Sequence, residues 1–422
     1  MEKVPLYPNS LRMLIETAGY SFKEIAREAN ISERTLYYWA AGNRVIPHRD
    51  RITLAHVLGC TPEDLTPCRN TNGVVQLPQD YSQPWDQGEM NKKRRELLQL
   101  LSIAASIMLL PEIDWERIDR VVSAPSLLDK AGLSNLEAIN HHYWRVYGIS
   151  SAKITILDGV LGQLKTLIGL LRASYSAPLQ RGLNILACDL AQLAGEIFFD
   201  SNDYDTAQSC YTFAAAAAKE VTHYDLWACA LVRNAFLPIY DRQYRDALPL
   251  LHQAERIAAR GDPSLVTRYW VAAVTAEAYA GAGDLALCQK GLDMAEGVRG
   301  IQNGENGGWL RFGGSRLPEQ RGTCFVRLQE PNLAMPALDE ALAQHPTPTR
   351  RRGMVLNDLA QAALQEQHVE QACTYAHEVI EIALQGSSGM LKKGLYALRE
   401  QLEPFAQTGA VRQLDQHLRV LA

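Results

Sequence analysis

The sequence predicts an all-α protein in two parts, a small N-terminal bundle of short helices followed by a long array of helical hairpins. Two observations carry this expectation. From residue 92 onward apolar residues recur at helical spacing, with scarcely any alternating apolar/polar run of the kind that makes a sheet. Within that zone a pattern of small and aromatic residues returns about every forty positions, the signature of a stacked repeat. The 422 residues suit two or three domains, and a 47% hydrophobic content excludes a wholly disordered chain. Composition divides the chain into a helical N-terminal domain (1–66), a linker (67–91), an irregular helical cap (92–180) and the repeat domain (181–422). The linker, PCRNTNGVVQLPQDYSQPWDQGEMN, is rich in Pro, Asn, Gln, Gly and Asp and has no periodicity.

In the N-terminal domain SLRMLIETAG reads as a first helix. The segment SFKEIAREANISERTLYYWAAG places a second from about Ser21 to Ala29, a short turn through Asn30 and Ile31, and a third starting at the N-cap candidate Ser32. Ile25, Ala26, Ala29, Ile31, Leu36 and Trp39 form the expected apolar contact between them. RDRITLAHVLG gives a fourth helix, and TPEDL a short fifth capped by Thr61. These residues, LRMLIETAGYSFKEIAREANISERTLYYWAAGNRVIP followed by LAHVLGCTPEDL, resemble the lambda-repressor-like (XRE-family) helix-turn-helix domain over about 58 positions.

The resemblance implies a five-helix domain that binds double-stranded DNA, with a recognition helix that reads base edges in the major groove from its N-terminal residues. Here these are Ser32, Glu33, Arg34, Tyr37 and Tyr38. Arg34 suits bidentate contact with guanine, Glu33 suits acceptance from cytosine, and the tyrosines suit thymine methyls or phosphate. Phosphate anchoring falls to Lys23, Arg44, His48 and Arg49. Phe22 stands where the family commonly carries Gln, so that backbone contact is lost or replaced. Residues 1–68 hold eight Lys or Arg and eight Asp or Glu, so one module has no net charge to draw it to DNA. Specific binding therefore implies a homodimer on a pseudo-palindromic site.

The whole chain is no polycation either. Its 42 basic and 47 acidic side chains leave a net charge of −5, and any nucleic-acid affinity must be local. The basic run Lys92, Lys93, Arg94 and Arg95 reads as a solvated helix flank. The stretch from Lys92 to Pro111 mimics a twin-arginine signal, but its apolar run from Leu97 to Leu110 is short and interrupted by Gln99, Ser102 and Ser106, which suits a buried helix and no membrane span. With no secretory signal at MEKVPLYPNS, a cytoplasmic protein is expected, at the nucleoid when DNA-bound. Cysteines at 60, 68, 188, 210, 229, 288, 324 and 373 form no CxxC pair and no zinc-type grouping, so they read as reduced, mostly buried thiols, with no metal and no cofactor.

The repeat resembles the tetratricopeptide pattern most clearly at Gly195, Phe198, Ala207, Tyr211 and Ala214, and again at Ala276, Tyr279, the Gly283-Asp284 turn, Cys288, Leu292 and Ala295. Weaker copies centre on Ala235, Ala247, Leu251 and Ala254, on Ala337 with Ala341, and on Leu356, Leu359, Ala360, Ala372 and Ala376. The early position of each second helix falls at 207, 247, 288, 337 and 372. The resemblance implies a tetratricopeptide-like α-solenoid with a concave groove, and upstream Ser134–Tyr175 reads as amphipathic helices without the repeat. On the groove side of the first helices lie Gln192, Glu196, Arg233, Trp270, Glu277, Asn357 and Gln361, candidates for holding a peptide, small-molecule or protein effector. GVRGIQNGENGGWLRFGG is a loop insertion, in which Trp309 and Phe312 are either a lid or dimer contact or simply local packing.

No GxxxxGK[ST], HExxH or GxSxG occurs, so no enzyme is expected. His141 and His142 point about 100° apart on a helix, and Asp203 and Asp205 sit in a turn where capping explains them. The chain thus reads as similar to bacterial transcriptional regulators that join an XRE-type helix-turn-helix to tetratricopeptide repeats, and more loosely to peptide-pheromone sensors. The alternative is a protein-interaction scaffold whose helix-turn-helix docks a partner protein.

Overall fold

The computed structural model describes residues 11, 22–29, 31–32, 35–36, 39, 46, 48–58, 113–150, 152–302, 304–306, 308–344, 349–386 and 388–421. Among these the regular structure is entirely helical: 17 α-helices, short 3-10 turns and no strand. Chain contacts define two compact units, residues Met1–Ser82 with Asp203–Ser209, and Gln83–Asn202 with Cys210–Ala422. The expected fifth helix at TPEDL, the linker 67–91 and the Lys92–Pro111 segment lie outside the described residues.

In the first unit, α1 (Phe22–Glu28) and α2 (His48–Leu58) pack around Leu11, Ile25, Ala26, Ala29, Leu36, Trp39, Ile46, Leu54 and Ala55, with Phe22 and Ile31 partly buried against them. The apolar contact set read from the sequence thus lies in one core. Its spacing is fixed by the exit from α1, where the Ala29 N–H donates to Ile25 O at 2.8 Å and the Ile31 N–H to Ala26 O at 2.9 Å. Ser32 Oγ then accepts the Thr35 N–H at 3.0 Å, while Leu36 N–H reaches Ser32 O at 3.1 Å. That is the N-cap geometry expected of Ser32.

In the second unit α3 (Trp115–Ser123) and α4 (Lys130–Ile149) start on the carboxylate caps Asp114 and Asp129. α5 (Leu157–Leu170) and α4 both pack on α6 (Ala177–Asp200). α6 is long and apolar enough to cross a membrane by length and composition, yet 83% of that window is buried in protein. It opens a row of hairpins, four residues ahead of the boundary expected at 181. The hairpins are α6 with α7 (Tyr204–Glu220), α8 (Tyr224–Tyr240) with α9 (Tyr244–Ala258), α10 (Thr267–Gly281) with α11 (Leu285–Ala295), α12 (Leu317–Arg327) with α13 (Pro331–Ala343), and α14 (Arg350–Gln365) with α15 (Val369–Gly386). α16 (Gly389–Gln401) and α17 (Gly409–Leu418) close the row against α14 and α15. Each first helix packs on the next first helix, so α6, α8, α10, α12, α14 and α16 form one continuous layer.

Small residues make this stacking possible. The pattern alanines at 207, 214, 235, 247, 254, 276, 295, 341, 360, 372 and 376 are fully buried. A Cβ on Gly195 would collide with the Tyr211 ring, so α6 and α7 approach there only because the position is glycine. The repeat is sharpest in its turns. Asn202, Arg242, Gly283, Gln329 and Gln367, with φ between 58° and 81°, are each the left-handed residue of a hairpin turn. The following N–H returns to the carbonyl five residues back: Gln243 to Pro238 at 2.8 Å, and Asp284 to Tyr279, Glu330 to Phe325 and His368 to Ala363 at 2.9 Å. Counting five residues on from each left-handed residue gives 207, 247, 288, 334 and 372. The fourth copy is therefore corrected from Ala337 to Ala334, which is fully buried. The alanines at 334, 337 and 341 follow one another at helical spacing, so the pattern slips by one turn without losing its match.

Only Gly283 among the five turn residues lacks a Cβ. Because the left-handed conformation costs an L-residue about 1–2 kcal/mol, offset in part by the greater freedom of glycine when unfolded, Arg242→Gly, Gln329→Gly and Gln367→Gly are each expected to raise stability by about 0.5–1 kcal/mol in urea unfolding. A pH effect follows from the contact between α15 and α17. His377 Nδ1 and His417 Nδ1 lie 2.8 Å apart, so one must donate and the other accept, and Glu381 faces His417 Nε2 at 3.0 Å. Burial, and then the His417 ring, hold His377 below its ordinary value of 6.5. A histidine with a lowered folded value contributes stability that is complete above 6.5 and is lost as pH falls through the folded value. The drop in Tm from pH 7.5 to pH 5 is accordingly expected to be smaller in His377→Asn than in the parent protein.

Candidate functional site

The ends of the first-helix layer are tied to one another. Arg350 Nη1, at the start of α14, donates to Asp200 Oδ1 at the end of α6 at 2.8 Å, and Ser388 Oγ reaches the same oxygen at 2.8 Å. From α16, Lys393 Nζ donates to Tyr240 O at 3.1 Å and lies 3.4 Å from Asp241 Oδ1. These bonds join residues about 150 to 190 positions apart and close the row on itself. The result is a cavity of about 630 Å³, within the size range of small-molecule sites.

One part of its wall is aromatic, from Trp144, Tyr147, Phe199, Phe236, Tyr240 and Trp270. Another is basic, from Lys153, Arg233, Arg311, Arg316, Arg350 and Arg351, against the carboxylates Glu196, Glu305 and Glu319. Arg233, 3% exposed, donates from each of its three nitrogens: Nε to Glu196 Oε1 at 3.0 Å, Nη1 to Gln192 Oε1 at 2.7 Å and Nη2 to Trp309 O at 2.8 Å. Its guanidinium carbon lies 4.9 Å from the Trp270 ring centre and 5.6 Å from that of Trp144. Glu196 also accepts the Tyr147 hydroxyl at 3.2 Å. Glu319 is taken by Arg351 at 2.7 Å.

Lys153 caps the end of α4, its Nζ donating to Tyr147 O and to Ser150 O at 2.6 Å. Burial, with Arg350 adding repulsion, pushes it down to about 8. Arg316 donates to Arg311 O at 3.1 Å, and burial together with the Arg351 charge pushes its guanidinium down to about 9. Burial lowers Arg311 as well. Deeper, buried Asp189 accepts from Trp144 Nε1 at 2.6 Å and Asn140 Nδ2 at 3.0 Å, which fixes the Trp144 ring, and burial raises its carboxyl to about 6.

Of the seven groove residues read from the sequence, Glu196, Arg233 and Trp270 line this cavity, and Gln192 lies bonded to Arg233. Glu277, Asn357 and Gln361 do not line it. Glu277 pairs with Arg327 at 2.5 Å and accepts from Gln320 at 2.7 Å, Asn357 donates to Leu391 O at 3.5 Å, and Gln361 is half-buried. The neighbouring first helices α12 and α16 engage Glu277 and Asn357 respectively. In the glycine-rich insertion, Leu310 and Phe312 are buried, and Asn306 Oδ1 accepts the N–H groups of Gly308 and Leu310 at 3.1 and 3.0 Å. The insertion is thus packed locally and presents the Trp309 carbonyl to Arg233, while the Trp309 ring meets His223 edge-on.

Lys153, Arg311, Arg316, Arg350 and Asp200 were not singled out by sequence reasoning. One signal was present: Arg350, Arg351 and Arg352 open α14, where basic charge opposes the helix dipole and so calls for a tertiary partner. Among the DNA-contact candidates, Lys23 and Ser32 are exposed. Glu33, Arg34, Tyr37, Tyr38 and Arg44, and the side chains of His48 and Arg49, lie outside the described residues. The six described cysteines, 188, 210, 229, 288, 324 and 373, are buried and free, and no metal-holding group of His, Cys, Asp or Glu occurs among the described residues.

No protein-family model matches the chain, and no curated protein is detectably similar to it. The closure of the row makes its own prediction. Asp200→Ala leaves the Arg350 guanidinium without its carboxylate in a largely buried setting, a change that costs about 3–5 kcal/mol, whereas Asp241→Ala, at a more exposed pair, is expected to cost about 1 kcal/mol or less. Urea unfolding of the two variants measures the difference.

Proposed function

We propose that the chain is a DNA-binding transcriptional regulator, an XRE-type helix-turn-helix joined to a tetratricopeptide-like sensor, acting as a homodimer on a palindromic operator. The observation that carries this reading is the α1 exit. A helix, a tight turn and a new helix capped by Ser32, with Ile25, Ala26, Ala29, Leu36 and Trp39 sharing one core, are what a helix-turn-helix requires to hold a second helix at a fixed angle for insertion into the major groove. Four arginines against one aspartate between Arg34 and Arg51 supply local positive charge where phosphate contacts are needed. The row of hairpins, with one left-handed residue in the turn inside each, supports the tetratricopeptide-like part.

The test is selection of bound genomic fragments by the full-length protein, with Arg34→Ala as control, followed by a salt titration on the best fragment. Enrichment of a palindrome, lost in the variant and weakening steeply with salt, is the expected outcome. Absence of enrichment from folded protein at low salt overturns the DNA-binding reading and leaves a scaffold that docks a partner protein through the same helices.

A further inference from the structure

We propose that this cavity is a binding site for a small organic anion, a molecule with one carboxylate or phosphate group attached to a planar apolar body. Its role as the effector site rests on the regulator reading above; the binding itself does not.

The charge is the first argument. Six basic side chains line the cavity, and of the three carboxylates Glu196 is committed to Arg233 and Glu319 to Arg351, while Glu305 is exposed to solvent. Asp200 answers Arg350. Arg311 and Arg316 are left with no carboxylate at ion-pair distance among the described residues, and the hydrogen bond seen for the Arg316 side chain goes to the Arg311 carbonyl. A guanidinium carries five N–H donors, and a cation withdrawn from water is stabilised by an anion that accepts from it directly. Planar, bidentate acceptors such as carboxylate and phosphate fit that fork best.

Shape is the second. The aromatic wall, with Trp270 and Trp144 held in place by Arg233 and Asp189, offers fixed ring faces for a flat apolar group. At about 630 Å³ the cavity matches small-molecule sites. The bonds from Asp200 to Arg350 and Ser388 tie the end of α6 to α14 and α16 beside the cavity and narrow the groove in which an extended peptide would run. The ligand class is therefore narrower than the peptide, small molecule or protein partner expected from the sequence.

The experiment titrates the full-length protein with 8-anilinonaphthalene-1-sulfonate, an aromatic anion, and in parallel with the uncharged N-phenyl-1-naphthylamine, following fluorescence without DNA. Saturable binding of the anionic dye is expected, weakened about 10-fold or more by Arg316→Met and by Arg311→Met, largely restored in Arg316→Lys, and with the neutral dye changed by less than about twofold. Circular dichroism and Tm establish that each variant is folded; should Arg316→Met fail to fold, Arg311→Met carries the comparison. Displacement by phenyl phosphate or by phenylacetate then supports the site and tells phosphate from carboxylate. Displacement by neither, equal binding of the neutral dye, or unchanged affinity in folded variants overturns it. Failure here with operator binding intact removes only the anion site, and dye binding without DNA affinity removes only the regulator.

Discussion

The interior of the helical array depends on one buried cation. Arg233 enters from α8 with almost no exposure, and a guanidinium so placed must be paired or it destabilises the fold by several kcal/mol. Its needs are met from three directions: by Glu196 and Gln192, one turn apart on α6, and by the Trp309 carbonyl of the glycine-rich insertion. The Trp144 and Trp270 rings lie within cation–π distance of it. The register of α8 against α6 and the position of the insertion follow from satisfying that one group. With its charge paired to Glu196 and each nitrogen already donating, Arg233 organises the cavity wall, whereas Arg311 and Arg316 have no carboxylate at ion-pair distance among the described residues.

The second constraint is the turn. Within each hairpin from α6 to α15 the chain turns on a left-handed residue, and in the four hairpins from α8 to α15 the next N–H bonds back to the carbonyl five positions earlier. Asn202, Arg242, Gln329 and Gln367 accept this conformation despite their Cβ atoms. Burial of the flanking alanines and leucines outweighs the local cost, since tertiary packing of a helical face is worth several times the strain of one turn residue.

The helical class, the hairpin repeat and the core of the N-terminal unit were legible in the sequence because they rest on local periodicity and capping: Ser32 with the residue types around it, or Gly195 with Tyr211, signal themselves within a few turns. The fourth repeat slipped by three residues at Ala337 because Ala334, Ala337 and Ala341 share one helical face and only the turn residue Gln329 fixes the register. The cavity was half legible. Glu196, Arg233 and Trp270 follow from helical position in single hairpins, but Asp200 with Arg350 and Ser388 spans 150 and 188 positions, and no local pattern reports a contact at that separation. Glu277 and Asn357 lie on first helices as expected, yet α12 engages the one and α16 the other.

Closure and occupancy of the cavity are linked by charge. Drawing α14 and α16 onto the ends of α6 and α8 brings Arg350 to Asp200, and it also gathers Arg351, Arg311 and Arg316 around one space, where Arg351 and Arg311 disfavour the charge on Arg316. Asp200 offsets one of these cations, Glu319 another, and the remainder work against closure. An anion held between Arg311 and Arg316, as proposed above, would offset the charge these two add to the cluster. A ligand that binds one state and not the other stabilises it in proportion to the logarithm of its concentration over its Kd. On that proposal the arginines that hold the anion would also tie its binding to the stability of the surrounding row, with no contact between the ligand and the Asp200–Arg350 pair required.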